Sequence, residues 1–482
     1  MDASRASART DGISRTHEVA ATLRSRITQG QLHAHMRLPS ERALAAQLNV
    51  SRVTVVRALT RLRLEGLLVT RHGAGTFVAA TDRLMDTVAA RTPSPWPPAA
   101  GHPEAAIDLR WATTAGPVDL LRIAATAVEH GLPAALALDG TVADTGDDLT
   151  AALAGYLSTT GLPTRAAQLT LTPGAMAGLR LVLDTVGPPG RLAIAETPTY
   201  PGALRILLQD RRRLVGWPAG ATGWDPDRLA YLMRPPAAGV VYVQPDGHNP
   251  TGASMPPAIR QALGRATREA GWVTIADETM RPLNLSGETL PSLARYNDSV
   301  LTVSSMSKIA WGGLRLGWIR APAAITRQLR QAAAIIGTGP GSLDQVVGTE
   351  LLNSIAGIIQ RRIRLLTENL QHLEGRLRAL GRPGLTWQRP AGGITVWLDL
   401  AGRSSHEVVQ ECARLGVLLE PSSSYTVGGR DDRHLRIPFT ASPAIIDHAV
   451  DALGQALDRT GRALQNAAPP QHQIGHPARG NR

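Results

Sequence analysis

The chain has 482 residues, of which 43% are hydrophobic and 19% charged, a composition typical of globular proteins. At this length we expect two or three domains rather than one compact core. The single cysteine excludes a disulfide framework and a multi-cysteine metal site, and the lack of an apolar leader or long apolar run predicts a cytoplasmic protein without a membrane partner.

The net charge of +12 is concentrated near the N-terminus. Residues 1–79 contain twelve arginines and five acidic residues, so this short segment carries +7 and the remaining residues carry +5. A basic segment of this size is typical of a nucleic-acid-binding face, although a solvated basic tail has the same composition. The helices and strands predicted within the segment favour a nucleic-acid-binding face.

Three short helices and a hairpin are predicted between residues 13 and 80. "HEVAATLRSRITQG" has apolar residues at helical spacing, and "RLPSERALAAQLNV" places Pro39 and Ser40 at a second helix start. "SRVTVVRALTRLRLEG" has Ser51 as the N-cap of a longer third helix, and "LLVTRHGAGTFVA" alternates as a two-stranded wing does. This order predicts a winged helix-turn-helix, whose third helix enters the major groove of DNA.

The run from residue 26 to residue 78 resembles the DNA-binding domain of GntR-type bacterial regulators along its whole length. In such a domain Arg52 is expected to fork onto a guanine, while Ser51 and Thr54 reach phosphates or bases. The resemblance implies that double-stranded operator DNA is a partner. The candidate DNA contacts are Arg37, Arg42, Ser51, Arg52, Thr54, Arg57, His72 and Gly73.

A large second domain is predicted over residues 107–463, after a proline-containing linker at 81–106. Its apolar runs "RLAIAE", "GVVYVQ", "WVTIAD" and "VLTVSS" alternate with helical segments, which predicts an α/β domain with a mainly parallel sheet. Residues 1–12 and 464–482 are predicted to be disordered. The fold class is therefore a small α+β winged helix joined to a large α/β domain.

Residues whose side chains can bind a ligand or take part in a reaction follow the predicted strands. They fall at the edge where parallel sheets bind ligands. "TLTPGAMAGL" places three small or flexible residues at a helix start, where free amides could hold a phosphate. Taken singly, each residue also has an ordinary explanation as a cap, a packing residue or part of the core. The set comprises Gly174, Ala175, Met176, Tyr200, Asn249, Asp277, Ser305, Lys308 and Arg315.

Lys308 is the only lysine of the chain, because the other fifty basic residues are arginines. A guanidinium stays protonated at any working pH, whereas a buried ammonium can lose its proton and become a nucleophile. A stray surface lysine is the alternative explanation. A lysine for an imine, a carboxylate for a pyridinium nitrogen, an aromatic face and phosphate donors together meet the requirements of pyridoxal 5′-phosphate (PLP).

The order and spacing of these residues resemble the fold type I aminotransferases of class I over nearly all of residues 107–460. The resemblance implies that Lys308 forms a Schiff base, the internal aldimine, with PLP. It also implies that Asp277 keeps the ring nitrogen protonated and that Asn249 hydrogen-bonds the phenolic oxygen of the ring.

The same resemblance supplies the remaining contacts of the cofactor and of an amino compound. Tyr200 is expected to stack on the ring, and Arg436 in "HLRIPFT" to bind an α-carboxylate by a bidentate fork. The phosphate is expected to contact Gly174, Ala175, Met176, Ser305 and Arg315.

Two positions depart from the aminotransferase pattern. Met280 stands where a tyrosine often touches the phenolic oxygen, and Thr141 stands near the place of a tyrosine that reaches the phosphate in the neighbouring subunit. These hydroxyls help to tune the Schiff base. Their loss predicts weak or absent net transamination with cofactor binding retained.

A GntR-type winged helix joined to an aminotransferase-like domain resembles the MocR subfamily of bacterial regulators. The resemblance implies a homodimeric, PLP-dependent transcription factor that senses PLP or an amino compound bearing a carboxylate through Lys308. A working class I aminotransferase that carries a DNA-binding domain is the main alternative. A dimerisation scaffold that binds no PLP is a third, and the set of Lys308, Asp277, Asn249 and Arg315 disfavours it.

Overall fold

The chain divides into two units, Met1–Thr92 and Pro93–Arg482. The computed structural model describes residues 15–16, 18–27, 32, 36–64, 67–71, 75–78, 107–117, 119–137, 147–187, 191–209, 212–219, 223–234, 239–288 and 290–467. The predicted linker at 81–106, the predicted N-terminal segment at 1–12, His72, Gly73 and Thr141 lie outside these residues.

The small unit contains the three helices and the hairpin that were predicted. They are α1 (residues 18–27), α2 (Glu41–Gln47), α3 (Arg52–Leu64), β1 (Leu68–Arg71) and β2 (Gly75–Val78). The Ser40 hydroxyl caps α2 by accepting the Ala43 N–H at 3.2 Å, and Ser51 caps α3 by accepting the Thr54 N–H at 3.1 Å. The predicted starts of both helices are therefore confirmed.

One apolar core joins the elements of the small unit. Strands β1 and β2 pair antiparallel, with Leu68 opposite Val78 and Arg71 opposite Gly75. The core residues are Val19, Ala20, Leu23, Leu38, Leu44, Val55, Ala58, Leu59, Leu62, Leu68 and Val78. Because all three helices and both strands contribute to this core, the unit is the predicted winged helix-turn-helix.

A seven-stranded sheet forms the centre of the large unit, in the order β4-β10-β9-β8-β7-β5-β6. Among the described strands of this sheet, β10 runs opposite to the other six, so the mainly parallel sheet is confirmed. The strands are β4 (Leu169–Thr172), β5 (Leu192–Thr197), β6 (Arg213–Pro218), β7 (Gly239–Val243), β8 (Val273–Asp277), β9 (Leu301–Ser305) and β10 (Gly317–Arg320).

Helices flank this sheet and bury apolar side chains from its strands. The first helices are α4 (Leu120–Leu136), α5 (Asp147–Thr159), α6 (Ala175–Val186), α7 (Pro201–Gln209), α8 (Pro226–Leu232) and α9 (Pro257–Ala270). The chain continues through α10 (Ala323–Ile336), α11 (Ser342–Asn353) and the long α12 (Ile355–Ala379).

The chain ends in a smaller lobe of the same unit. An antiparallel sheet of β11 (Leu385–Trp387), β12 (Thr395–Leu400) and β14 (His434–Pro438) packs on α12, α13 (Ser405–Arg414) and α14 (Pro443–Ala467). Strand β13 (Val417–Leu418) pairs in parallel with β3 (Ile107–Asp108), so the first described residues after residue 106 join this lobe.

The C-terminal helix extends beyond the predicted end of the domain. The sequence predicts a tail from residue 464, whereas α14 continues to Ala467. The sequence "ALQNAA" contains no helix breaker before Pro469, which gives the physical reason for the difference. Residues 468–482 lie outside the described part of the chain, and the other predicted domain boundaries stay predictions.

Candidate active site and DNA-binding surface

A cavity of about 410 Å³ lies at the carboxyl ends of the parallel strands. Its lining includes all of the residues that the sequence assigned to the cofactor and to an amino compound. They are Gly174, Ala175, Met176, Tyr200, Asn249, Asp277, Ser305, Lys308, Arg315 and Arg436. Residues far apart in the chain, from Gly174 to Arg436, therefore meet in one place.

Lys308 lies in the turn that follows β9, with its ammonium group directed at the main chain of a distant segment. Its Nζ donates a hydrogen bond to the Ala112 carbonyl at 2.7 Å. Burial lowers the pKa of Lys308 from 10.5 to about 8, with Arg436 adding to the decrease and Asp277 opposing it. The lowered pKa increases the neutral fraction of the amine near neutral pH, and the neutral amine is the nucleophilic form.

Asp277 ends β8 and is held by two donors. One carboxylate oxygen accepts the Tyr242 hydroxyl at 3.0 Å, and the other accepts the Thr279 N–H at 3.0 Å. Burial raises the pKa of Asp277, although both hydrogen bonds act in the opposite direction. A buried carboxylate of this kind gains stability from a cationic partner, and a pyridinium N–H is such a partner.

A hydrogen-bonded chain that the sequence did not predict links Asp277 to Asn249. Gln244 Nε2 donates to the Tyr242 hydroxyl at 3.0 Å, and Gln244 Oε1 accepts the Asn249 N–H at 3.0 Å. The signal was present in "GVVYVQ", because two polar side chains stand in an otherwise apolar buried strand segment. Asn249 Oδ1 is buried and has no hydrogen-bond partner within the described residues, so its side chain keeps capacity for a ligand.

The start of α6 forms a small concave surface that suits an anion. Gly174 adopts a φ of +109°, and a Cβ added there would lie 3.4 Å from Arg315 Nη2. A Cβ at Gly317 would lie 2.7 Å from the Gly174 Cα, so both glycines permit this close approach. The first amides of a helix lack intrahelical partners, and Arg315 adds positive charge beside them.

Ser305 and Tyr200 occupy different parts of the cavity wall. The Ser305 hydroxyl donates to the Leu316 carbonyl at 3.1 Å and accepts the Ser307 N–H at 3.1 Å, so it is already well satisfied. The Tyr200 ring packs over Gly202, where an added Cβ would lie 2.4 Å from the ring. Gly202 therefore leaves room for the Tyr200 ring beside the cavity, and burial raises the pKa of Tyr200.

Arg436 lies on β14 with its guanidinium group buried against the same distant segment that Lys308 contacts. Its Nη2 donates to the Leu109 carbonyl at 2.9 Å and to the Arg110 carbonyl at 2.5 Å. The guanidinium carbon lies 5.4 Å from the centre of the Tyr425 ring. Arg436 Nε is buried and has no partner in the part of the chain that the structure describes.

Residues 107–117, which we call the strap, cross the cavity directly after the predicted linker. Besides Lys308 and Arg436, a third basic side chain holds this segment, because Arg362 Nη2 donates to the Ala115 carbonyl at 2.8 Å. Arg362 also donates to the Ala310 carbonyl at 2.7 Å, in the turn that carries Lys308. Sequence patterns did not reveal the strap, since its contacts are made by main-chain carbonyls.

Met280 lines the cavity, as its position three residues after Asp277 suggested. Its side chain is partly buried and packs against the core of the smaller lobe. A thioether accepts hydrogen bonds only weakly and donates none, so Met280 cannot take the place of a tyrosine hydroxyl. Thr141, the second departure from the aminotransferase pattern, lies outside the described residues.

The predicted DNA contacts of the small unit that can be located are mostly exposed. Arg37, Arg42, Ser51, Arg52 and Arg57 are exposed. Arg52 forms an ion pair with Glu41 at 3.1 Å, which DNA would have to replace.

Thr54 differs from these residues because its side chain is buried. Its hydroxyl lies 2.8 Å from that of Ser51, at the first turn of α3. The structure therefore offers no exposed Thr54 oxygen to a phosphate, since burial and the Ser51 contact engage it. A DNA contact by Thr54 stays a prediction and requires a rearrangement of this cap.

Both units match known protein families. Residues 141–453 match the family described as aminotransferase class I and II, which is more than half of the chain. The chain belongs to the aminotransferase class I and II family. Residues 15–78 of this aminotransferase-family chain match the bacterial regulatory proteins of the gntR family, which cover the winged helix.

Curated relatives of this aminotransferase-family chain include regulators that match both units. The HTH-type transcriptional regulator TauR of Rhodobacter capsulatus is 27% identical, covering 90% of this chain and 96% of TauR. The HTH-type pyridoxine biosynthesis transcriptional regulator PdxR of Corynebacterium glutamicum is 27% identical, covering 88% and 91%. These relatives confirm the predicted similarity to the MocR subfamily.

A solved aminotransferase resembles the large unit. LysN, an α-aminoadipate aminotransferase from Thermus thermophilus, matches with a TM-score of 0.68 and 25% identity. The match covers 75% of this chain and 94% of LysN, whose crystal structure contains N-(5′-phosphopyridoxyl)-L-leucine. The predicted fold type I architecture is confirmed.

Proposed function

We propose that the protein is a DNA-binding transcriptional regulator whose aminotransferase-like domain uses PLP to sense an amino compound, or senses PLP itself. One observation carries the proposal. A chain with a GntR-type winged helix places its sole lysine in a cavity beside Asp277, Asn249 and Arg315. When bound, PLP supplies an aldehyde that condenses with primary amines and a ring that withdraws electrons.

The side chains that line the cavity support this cofactor. Lys308 presents an amine with a lowered pKa, and Asp277 presents a buried carboxylate for a ring N–H. The Asn249 amide lies on the cavity wall, where its NH₂ group can donate to a ring oxygen, and the glycine-lined start of α6 beside Arg315 suits a phosphate. Tyr200 offers the aromatic face that the sequence assigned to it.

The strap is the part of the cavity wall that lies closest in sequence to the DNA-binding unit. Its carbonyls accept from Lys308 and Arg436, the two side chains assigned to the cofactor and to the carboxylate of the effector. A carboxylate that binds Arg436 competes with the Leu109 and Arg110 carbonyls for the same guanidinium group. We propose that this competition loosens the strap, which the linker joins covalently to the winged helix.

The proposed regulation requires that the effector binds one strap arrangement more tightly than the other. Titrating the purified protein with amino acids and amines, while recording the visible absorption of PLP and operator binding together, tests this requirement. We expect at least one amino compound to change both signals at the same concentration. Absorption changes without any change in operator affinity would contradict the proposal.

A catalytically active aminotransferase carrying a DNA-binding domain is the second candidate, and relatives that are aminotransferases favour it. Because Met280 lacks a hydroxyl, we expect net transamination to be slow or incomplete. Measured production of keto acid should stay far below about 10 s⁻¹, the median for enzymes. A rate near that median would favour the enzyme, and a purified protein without visible absorption would favour a scaffold that binds no PLP.

Arg52 is expected to provide base-specific affinity for the operator. Replacing it with alanine should weaken operator binding by about 1–3 kcal/mol if it forks onto a guanine. Gel-shift titrations on operator and random DNA measure the difference. Arg26→Ala, which removes an exposed charge on α1, is the matched control for loss of charge. Equal losses on both DNAs would show that Arg52 contacts only phosphate.

We propose that the protein acts in the cytoplasm as a homodimer. The large unit exposes large apolar side chains on α4, α10 and α11, and a second copy would cover them. They are Leu121, Leu136, Ile335, Ile336 and Leu343. Among the described residues, no helix is long and apolar enough to cross a membrane.

A further inference from the structure

Arg205 lines the cavity but is not among the residues assigned to PLP or to the carboxylate of the effector. It lies on α7, five residues after Tyr200, and its side chain is 19% exposed. Its hydrogen-bond partner within the described residues is Glu420, whose Oε1 lies 3.5 Å from Arg205 Nη2. This distance is at the upper limit for a hydrogen bond, so the pair is weak for such a buried position.

Glu420 connects Arg205 to the site assigned to the carboxylate. It follows β13 in the smaller lobe, and its Oε2 accepts the Tyr425 hydroxyl at 3.2 Å. The ring of the same tyrosine lies under the Arg436 guanidinium group. Arg205 and Arg436 are therefore two guanidinium groups of one cavity, joined through Tyr425 and Glu420.

The hydrogen-bonding capacity of Arg205 exceeds what its surroundings use. A guanidinium group has five N–H donors, and Arg205 uses one of them in the described part of the chain, while its Nε is buried without a partner. Glu420 already accepts from two donors. The unused hydrogen-bonding groups at this end of the cavity are therefore N–H donors of Arg205. An anion or another acceptor group can satisfy them.

Arg110 shows the contrast within the same cavity. Its Nε and Nη2 donate to Asp108 at 3.0 and 2.7 Å, and its main-chain N–H donates to the same carboxylate at 3.0 Å. Arg110 is therefore occupied by a bidentate partner, whereas Arg205 has, within the described residues, only the long contact to Glu420.

We propose that Arg205 is a second anion-binding subsite, so that the effector is an amino compound with an acidic group at each end. This inference rests on the proposed sensing function. Arg436 takes the carboxylate beside the amino group, and Arg205 takes the distal acid in place of Glu420. Because Glu420 competes with the effector for Arg205, it raises the concentration of effector that is needed to occupy the subsite.

The experiment compares ligands of matched length on the PLP-bound protein, with the visible absorption of PLP as the readout. L-Glutamate and L-2-aminoadipate are titrated against their neutral analogues L-norvaline and L-norleucine, and against L-ornithine and L-lysine. We expect wild type to bind the diacids roughly tenfold or more tightly than the neutral analogues, since charge-assisted bidentate contacts are strong. A neutral analogue or a diamino acid that binds equally or more tightly would overturn the subsite.

Two cavity variants should change the preference in opposite directions. Arg205→Gln should bring the ratio of diacid to neutral-analogue affinity close to one, whereas Glu420→Gln should raise it because the competing charge is gone. Arg228→Gln, which removes an exposed charge outside the cavity, should keep the wild-type ratio. A preference that survives Arg205→Gln would contradict the assignment.

The same titrations separate this inference from the function on which it rests. A response to neutral amino acids with no preference for diacids removes the Arg205 subsite and leaves sensing intact. Failure of every amino compound to alter absorption or operator affinity, in a protein that binds PLP, removes sensing of amino compounds and the subsite with it.

Discussion

Replacing Lys308 with arginine is expected to abolish both the covalent attachment of PLP and the response of operator binding to amino compounds. Arginine keeps the positive charge but does not lose its proton at working pH, so it cannot attack an aldehyde. Lys308→Ala should fail in the same way, with PLP held weakly by the phosphate surface and Asp277. Visible absorption and operator-binding titrations, with and without PLP and amines, measure both losses.

Basal operator affinity should survive Lys308→Arg within a few-fold, because the winged helix has its own apolar core. A second control tests whether a lysine at any position, rather than at position 308, is sufficient. Arg228→Lys adds an exposed lysine and should behave as wild type, and the double variant Lys308→Arg with Arg228→Lys should behave as Lys308→Arg. An arginine variant that kept both the visible band and the response would refute the role of Lys308.

Replacing Arg436 with glutamine is expected to weaken binding of carboxylate effectors by about 2–5 kcal/mol, roughly 30-fold or more. The reason is that the ligand loses a bidentate charged partner. The Leu109 and Arg110 carbonyls also lose their shared donor in the free protein, which affects the strap rather than the ligand. Titration of the PLP absorption with amino acids, and with amines that lack a carboxylate, measures the change.

The two ligand classes distinguish recognition of the carboxylate from damage to the fold. Amines without a carboxylate should lose much less affinity than amino acids in Arg436→Gln. Arg436→Lys should lie between glutamine and wild type, because it keeps the charge without the fork. Arg433→Gln, exposed and adjacent to β14, is the matched control. Equal losses for both classes would mean that Arg436 acts only by holding the strap.

Much of the fold could be predicted from local patterns. The apolar runs predicted as strands became β5, β7, β8 and β9, because a strand buried on both faces reads as continuous apolar sequence. Ser40 and Ser51 marked helix starts because a side-chain cap is a contact between residues three apart. The C-terminal boundary is an exception, because the sequence predicts a tail from residue 464 whereas α14 continues to Ala467.

The sequence predicts those residues of the candidate site whose side chains are unusual for the segment in which they stand. Lys308 was identified by its uniqueness, and Asp277 and Asn249 by their positions after apolar strands. Tyr242 and Gln244, which connect Asp277 to Asn249, were missed because their signal is two polar residues in one strand segment. Arg205 and Glu420 were missed because their partnership joins residues 215 positions apart.

The sequence by itself determined the elements of the small unit and four strands of the central sheet, and its motifs carried the resemblance to the two families and the set of residues assigned to PLP. Those features depend on interactions between near neighbours, or on motifs whose spacing is fixed along the chain. Only the tertiary structure decided which groups face each other in the cavity. Lys308 meets the Ala112 carbonyl across 196 residues, and Arg436 meets Leu109 across 327. The lowered pKa of Lys308 has the same origin, because burial and the Arg436 charge exist only after the sheet, the smaller lobe and the strap have packed together.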